Sequence, residues 1–197
     1  MVRKQGDGAA AEDRQARFRT MRRGRQLPAS APLGCRAVPR VAELRVGCQH
    51  HSVILTGPTG IGKSWLSQAL ARKACRDGYR VLYRPSGKLF RELGQARADG
   101  SLGKLLPVLT KVDVLVVDDF AMTPLEDQER RLFLEICDDR YRRRSTVLTS
   151  QLPTDKWHKQ IGDPTIADSI LDRLVHNAYR LELSGDSMRK PKKGDRP

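Results

Sequence analysis

Three glycines, a lysine and a hydroxyl stand at fixed spacing in "GPTGIGKS", residues 57–64. Gly57, Gly60 and Gly62 let backbone N–H groups turn inward around phosphate oxygens. Lys63 can reach β- and γ-phosphates, and the Ser64 hydroxyl can ligate Mg²⁺. The candidate nucleotide-binding set is the whole run Gly57, Pro58, Thr59, Gly60, Ile61, Gly62, Lys63 and Ser64, with Trp65 directly after it. The expected cofactors are ATP and Mg²⁺. An apolar run precedes the motif and a helical pattern follows it, so a helix N-terminus would face the same anion.

A phosphate site that hydrolyses needs an acid near the metal. "VLVVDD" ends an apolar run in Asp118 and Asp119. Asp118 is placed to hold Mg²⁺ through water, and Asp119, one residue on, to polarise the attacking water. A polar residue at the end of a neighbouring strand would lie beside the γ-phosphate. "TSQ" offers Thr149, Ser150 and Gln151, of which Gln151 is favoured and Ser150 comes second.

The elements that must carry these groups alternate. "SVILT" (52–56) reads as a strand, and 62–77 as a helix in which Leu66, Leu70 and Ala74 recur at helical spacing. Further strands are expected over 79–84, 113–119, 145–150 and 179–184. "GKLFRELGQARA" and "LGKLLPVLTK" read as helices, with Pro107 disturbing the second. A long helix is expected from Pro124 to Arg143, and another to about Asn177 opened by Asp163-Pro164. Such alternation implies an α/β P-loop fold, a five-stranded parallel sheet with helices on both faces.

Composition narrows the partners. The chain has 197 residues, 37 Lys and Arg against 23 acids, and a net charge of +14. Its mean hydropathy is −0.55. No apolar run approaches the length of about 20 residues that a membrane span needs. The N-terminus has no apolar core of the kind a secretory signal carries, so the expected location is the cytoplasm. The four cysteines show no paired spacing, which argues against a zinc site. So large a basic excess favours a polyanion, and nucleic acid is the expected partner, with no membrane. Residues 1–51 hold eleven basic and four acidic side chains and read as a mobile basic arm. The core is expected over 52–184, and 185–197 forms a second basic tail. Arg140, Arg142, Arg143 and Arg144, with Lys88, Arg91, Arg97 and Lys104, are candidate contacts to a DNA backbone. For the arginine run, a structural role at a helix C-terminus is equally open. Aromatic residues make up only 5% of the chain, which speaks against base stacking as the main mode.

Taken in order, "GPTGIGKSWLSQALARKACRDGYRVLY", "VDVLVVDDF" and "TSQLPTDKWHKQIGDPTIADSILDRLVHNAYRLELSGDSMRK" closely resemble the IstB-type helper ATPases of insertion sequences. These are AAA+ proteins similar to the DnaC helicase loader. The resemblance spans about residues 52–190. It implies ATP binding, assembly of a homo-oligomer on DNA, and help to a transposase in selecting its target. It places a sensor on Gln151 or its neighbour. It also implies that Arg173, in "ILDRL", reaches the γ-phosphate of the adjoining subunit, and that Arg189, in "DSMR", is a second sensor. The bland alternative for Arg173 is a surface pair with Asp168 or Asp172. Relatives usually carry a helical domain ahead of the core, whereas residues 1–51 read as an unrelated, Arg-rich leader. Two other readings stay open: a DnaC-like factor acting on a protein ring, and a truncated remnant that binds nucleotide without turnover. A small-molecule P-loop kinase fits less well, for want of an acceptor site.

Overall fold

Five short strands, three of them continuous small or apolar runs buried along their whole length, form one sheet. A computed structural model describes residues 50–185, 187 and 188. Its strands are β1 (Ser52–Thr56), β2 (Val81–Pro85), β3 (Val114–Asp118), β4 (Ser145–Ser150) and β5 (Ala178–Glu182). They are ordered β2-β3-β4-β1-β5, and every neighbouring pair is parallel. Between them lie α1 (Lys63–Arg76), α2 (Ser86–Ala98), α3 (Leu102–Lys111), α4 (Asp127–Arg140), α5 (Trp157–Ile161) and α6 (Pro164–Val175).

Alternation along the strands divides the core in two, because successive side chains point to opposite faces. Val53, Leu55, Val114, Val116 and Val147 pack against Leu66, Leu70, Ala71 and Ala74 of α1. Ile54, Leu115, Val117 and Leu148 belong to the other layer, with Leu89, Leu93, Phe133, Ile136 and Ile170 from the remaining helices. β1, β3 and β4 are buried throughout, as the middle of a doubly covered sheet requires.

Several boundaries differ from expectation. The long helix begins at Asp127 rather than Pro124, where Glu126 and Glu129 form a reciprocal capping box. It ends at Arg140, because Tyr141 leaves the helix and Arg142 takes a positive φ of 56°. Pro107 does not break α3. It lies inside the helix, where it removes only the bond to the carbonyl of Gly103. A 3₁₀ turn (Thr154–Lys156) and α5 fill a stretch to which the sequence assigned no element. There Trp157 and Ile161 are wholly buried.

Asp163 caps α6 as its position suggested, its Oδ1 accepting from the Ile166 amide at 2.8 Å. Asp163→Ala is expected to cost about 1 kcal/mol of stability. A urea midpoint unchanged from wild type would show that the cap contributes nothing.

Candidate nucleotide-binding site

The loop 57–62 leaves the C-terminal end of β1, which lies between β4 and β5, and runs straight into α1. Glycine is required at its start. Gly57 has φ +137°, and a Cβ there would stand 2.1 Å from the carbonyl oxygen of Leu183. At Gly60, with φ +88°, a Cβ would fall 2.2 Å from the Ser187 hydroxyl, and the Gly60 carbonyl accepts from the Met188 amide at 3.0 Å. The segment after β5 thus lies on the loop.

Among the described residues no side-chain hydrogen bond caps α1, and its first turn holds no acid. That turn keeps its N–H groups and positive dipole end for an anion, unlike the capped α4 and α6. Lys63 is 5% exposed, and its ammonium donates to the carbonyls of Gly57 at 2.7 Å and Pro58 at 2.8 Å. It therefore sits within the curve of the loop. Ser64 follows on the first turn, half-buried, and Trp65 is exposed.

Asp118, the last residue of β3, is buried with both carboxylate oxygens held by hydroxyls. Thr149 donates to Oδ1 and Tyr83 to Oδ2. Burial first, then the Asp118 carboxylate, pushes the Tyr83 phenol far above its ordinary range and keeps it a donor. Asp119 turns out of the strand at φ 56°, a conformation aspartate tolerates, with its side chain exposed. Its backbone is pinned on both sides. The amide donates to Thr149 Oγ1 at 2.9 Å, and the carbonyl accepts from Ser86 Oγ at 2.7 Å.

The two polar residues ending β4 separate by parity. Thr149 stands on the α1 face with Asp118. Ser150 points to the opposite face, fully buried, where it donates to the Phe120 carbonyl at 2.8 Å. It also accepts from the Leu152 amide at 3.1 Å and from Trp157 Nε1 at 3.2 Å. Ser150 is therefore scaffold, which corrects its placing as second choice beside the phosphate. Gln151, past the strand, reaches the loop itself: its Oε1 accepts from Thr59 Oγ1 at 2.6 Å. Sequence reasoning missed Tyr83 altogether. Its signal was period-two spacing, because Tyr83 stands two residues before Pro85, the register partner of Asp118.

Arg173 lies elsewhere. It sits in the last turn of α6 and shares a recess with Ser52, Tyr141 and Thr146, at the N-terminal ends of β1 and β4. β1, at about 3.3 Å per residue, puts roughly 13 Å of strand between that end and the loop. Arg173 Nε donates to Asp138 at 2.6 Å and Nη1 to Asp172 at 3.1 Å. Asp168 is not its partner; that carboxylate lies 3.4 Å from His158 Nε2. Arg189, and the basic arm and tail apart from residues 50, 51, 185, 187 and 188, lie outside the described residues.

Arg140 is not available to DNA. It is 2% exposed, and its guanidinium donates to the carbonyls of Leu109, Thr110, Val112 and Ser145 and to Thr146 Oγ1. Burial lowers its pKa to about 10, so it stays charged at neutral pH. Lys88 lies 3.5 Å from Glu92, while Arg91, Arg97, Lys104, Arg142 and Arg143 are exposed. No helix among the described residues is long and apolar enough to cross a membrane. Nor do any three His, Cys, Asp or Glu side chains there converge as a metal site.

Relatives share this sequence and fold. A protein of Sinorhizobium fredii described as an insertion sequence ATP-binding protein is 52% identical over 141 residues, covering 72% of this chain and 58% of its own. The chain thus spans little more than half that relative's length. The DnaC helicase loader matches at TM-score 0.64 and 20% identity, over 75% of this chain and 86% of its own. The replication initiator DnaA bound to AMPPCP and single-stranded DNA matches at 0.65 and 20%, over 81% and 48%. These two establish a P-loop AAA+ fold. The family model described as IstB-like ATP binding protein matches residues 26–195. That match begins within the basic stretch, which corrects the expected start of the resemblance near residue 52. Cradle, sheet and family model agree: the chain belongs to the IstB-like family of ATP-binding proteins.

Proposed function

We propose that the chain is an ATP-hydrolysing helper of DNA transposition that assembles on double-stranded DNA and directs a transposase. The observation that carries hydrolysis is the convergence at one end of the sheet of Lys63, Asp118 and Gln151, each held by hydrogen bonds. The insertion-sequence relative supports the transposition setting. A nucleic-acid partner is in keeping with the replication initiator DnaA, which shares this fold over about half its length and is bound to single-stranded DNA.

The chemistry follows from the residues. One carboxylate and one hydroxyl, both hard oxygen donors, fit Mg²⁺: Ser64 would serve as a ligand, and Asp118 would hold the ion through water. When bound, the ion offsets charge on the transferring phosphoryl group. The loop amides and Lys63 bind the phosphates, and exposed Trp65 borders the nucleotide. Asp119 orients and polarises the water whose oxygen attacks the γ-phosphorus as the bond to the β–γ bridging oxygen breaks. The products are ADP and phosphate. Gln151 stands beside the γ-phosphate and senses it through Thr59. Arg173, remote from its own chain's loop, serves an adjoining copy, and Arg189 acts as second sensor. Exposed Arg91, Arg97, Lys104, Arg142 and Arg143 offer sequence-independent, salt-sensitive contacts to the DNA backbone.

The test is the ATPase rate with and without double-stranded DNA, with particle size measured in both. DNA-stimulated turnover in large particles is expected. A rate equal to that of Lys63→Ala and Asp118→Ala would reduce the chain to a nucleotide-binding remnant. Arg173→Ala should keep ATP binding and lose turnover by about a hundredfold or more. Full turnover by that variant in the assembled state would make Arg173 a surface pair with Asp138 and Asp172.

A further inference from the structure

We propose that Tyr83 is a positioning residue of the phosphate site, one that sets the orientation of the Asp118 carboxylate. The proposal rests on the reading of Asp118 as the acid that holds Mg²⁺ through water.

Three observations lead to it. First, Tyr83 stands on the edge strand β2, beside β3, and its phenol donates to Asp118 Oδ2. Secondly, the Tyr83 ring packs against the α1-side core layer, in register with Val116 of β3, which fixes the direction from which the phenol approaches. Thirdly, Thr149 occupies the other oxygen of the same carboxylate from β4. The acid is gripped from both flanking strands.

This grip has a chemical meaning. An ionised carboxylate has about four acceptor positions, two on each oxygen. One on each is taken by a hydroxyl, so the group cannot rotate freely and each oxygen retains one acceptor position. Mg²⁺ gives up its water reluctantly. A carboxylate fixed in this way suits accepting from metal-bound water better than gripping the ion with both oxygens at once. Tyr83 makes no contact with nucleotide in this account; it acts through Asp118.

Tyr83→Phe removes the hydroxyl and keeps the ring that packs beside Val116 in the α1-side core. The experiment uses the full chain with saturating ATP and reads Mn²⁺ affinity by electron paramagnetic resonance. Metal-free nucleotide affinity is followed through Trp65 fluorescence, and unfolding is measured alongside. Tyr83→Phe is expected to weaken Mn²⁺ binding about three- to tenfold. The metal concentration for half-maximal turnover should rise equally, while metal-free ATP affinity and the unfolding midpoint stay close to wild type. Thr149→Val should weaken Mn²⁺ binding in the same direction. If Asp118→Asn weakens Mn²⁺ binding and Tyr83→Phe does not, Tyr83 only fills space and the proposal is wrong. If Asp118→Asn also leaves Mn²⁺ binding intact, it is the reading of Asp118 that fails.

Discussion

Replacing Lys63 with alanine should abolish nucleotide turnover while leaving the fold standing. The ammonium is nearly out of solvent and positioned by two loop carbonyls, so its charge acts at low local dielectric on any phosphate the loop holds. Losing a preorganised charge of this kind costs about 10²–10³ in rate. Structure should suffer much less. The carbonyls of Gly57 and Pro58 lose a donor, at about 1–2 kcal/mol, but lie on a partly exposed loop that water can reach. Two tryptophans make the comparison convenient. Trp65 is 41% exposed beside the loop and Trp157 is wholly buried, so a nucleotide-dependent change in emission reports on Trp65. The variant should show weakened ATP binding, no measurable hydrolysis, and a circular dichroism spectrum like wild type. Wild-type turnover by Lys63→Ala would remove the lysine from the chemistry.

The largest stability effect is expected at Arg140. Its guanidinium closes the last turn of α4 against the carbonyls at the end of α3 and the start of β4. Arg140→Met keeps most of the volume and removes every donor, leaving several buried carbonyls without partners. A loss of about 3–5 kcal/mol is expected, read as a lowered urea midpoint. Lysine should not rescue it, because one ammonium with three donors cannot span acceptors laid out for a planar fork. A midpoint within error of wild type would mean that water satisfies those carbonyls equally well.

Arg140 also shows where the sequence runs out. In "RYRRR" four arginines look alike, and charge alone offers all of them to a polyanion. Arg140 alone continues the helix face of Phe133, Ile136 and Cys137, and that periodicity was the available clue to its burial. The strands were legible because continuous apolar runs bounded by glycine, proline and acids leave little choice. Thr149 and Ser150 were harder. Both are small, polar and terminal, and only the face of the sheet tells them apart: odd positions of β4 meet Asp118, even ones meet Trp157. α5 was hidden by its length, since five residues carry no period. Tyr83 was missed because its partner is 35 positions away, and its period-two spacing points to Asp118 only once β2 is known to lie beside β3. The P-loop could be read outright, since its chemistry is backbone chemistry and glycine spacing records it.

The placing of Arg173 and the P-loop at opposite ends of β1 bears on how copies could count one another. An arginine that serves a neighbour from that end makes a head-to-tail contact, with different surfaces meeting on the two sides. In an open row of such copies, the cradle at one extremity lacks its guanidinium, and the arginine at the other has nothing to touch. Complete sites then number one fewer than the copies in the row. Activity per copy would be nil for a lone chain, half its ceiling for a pair, and near the ceiling only in long rows. The length of the row would thereby be written into the rate at which it consumes ATP.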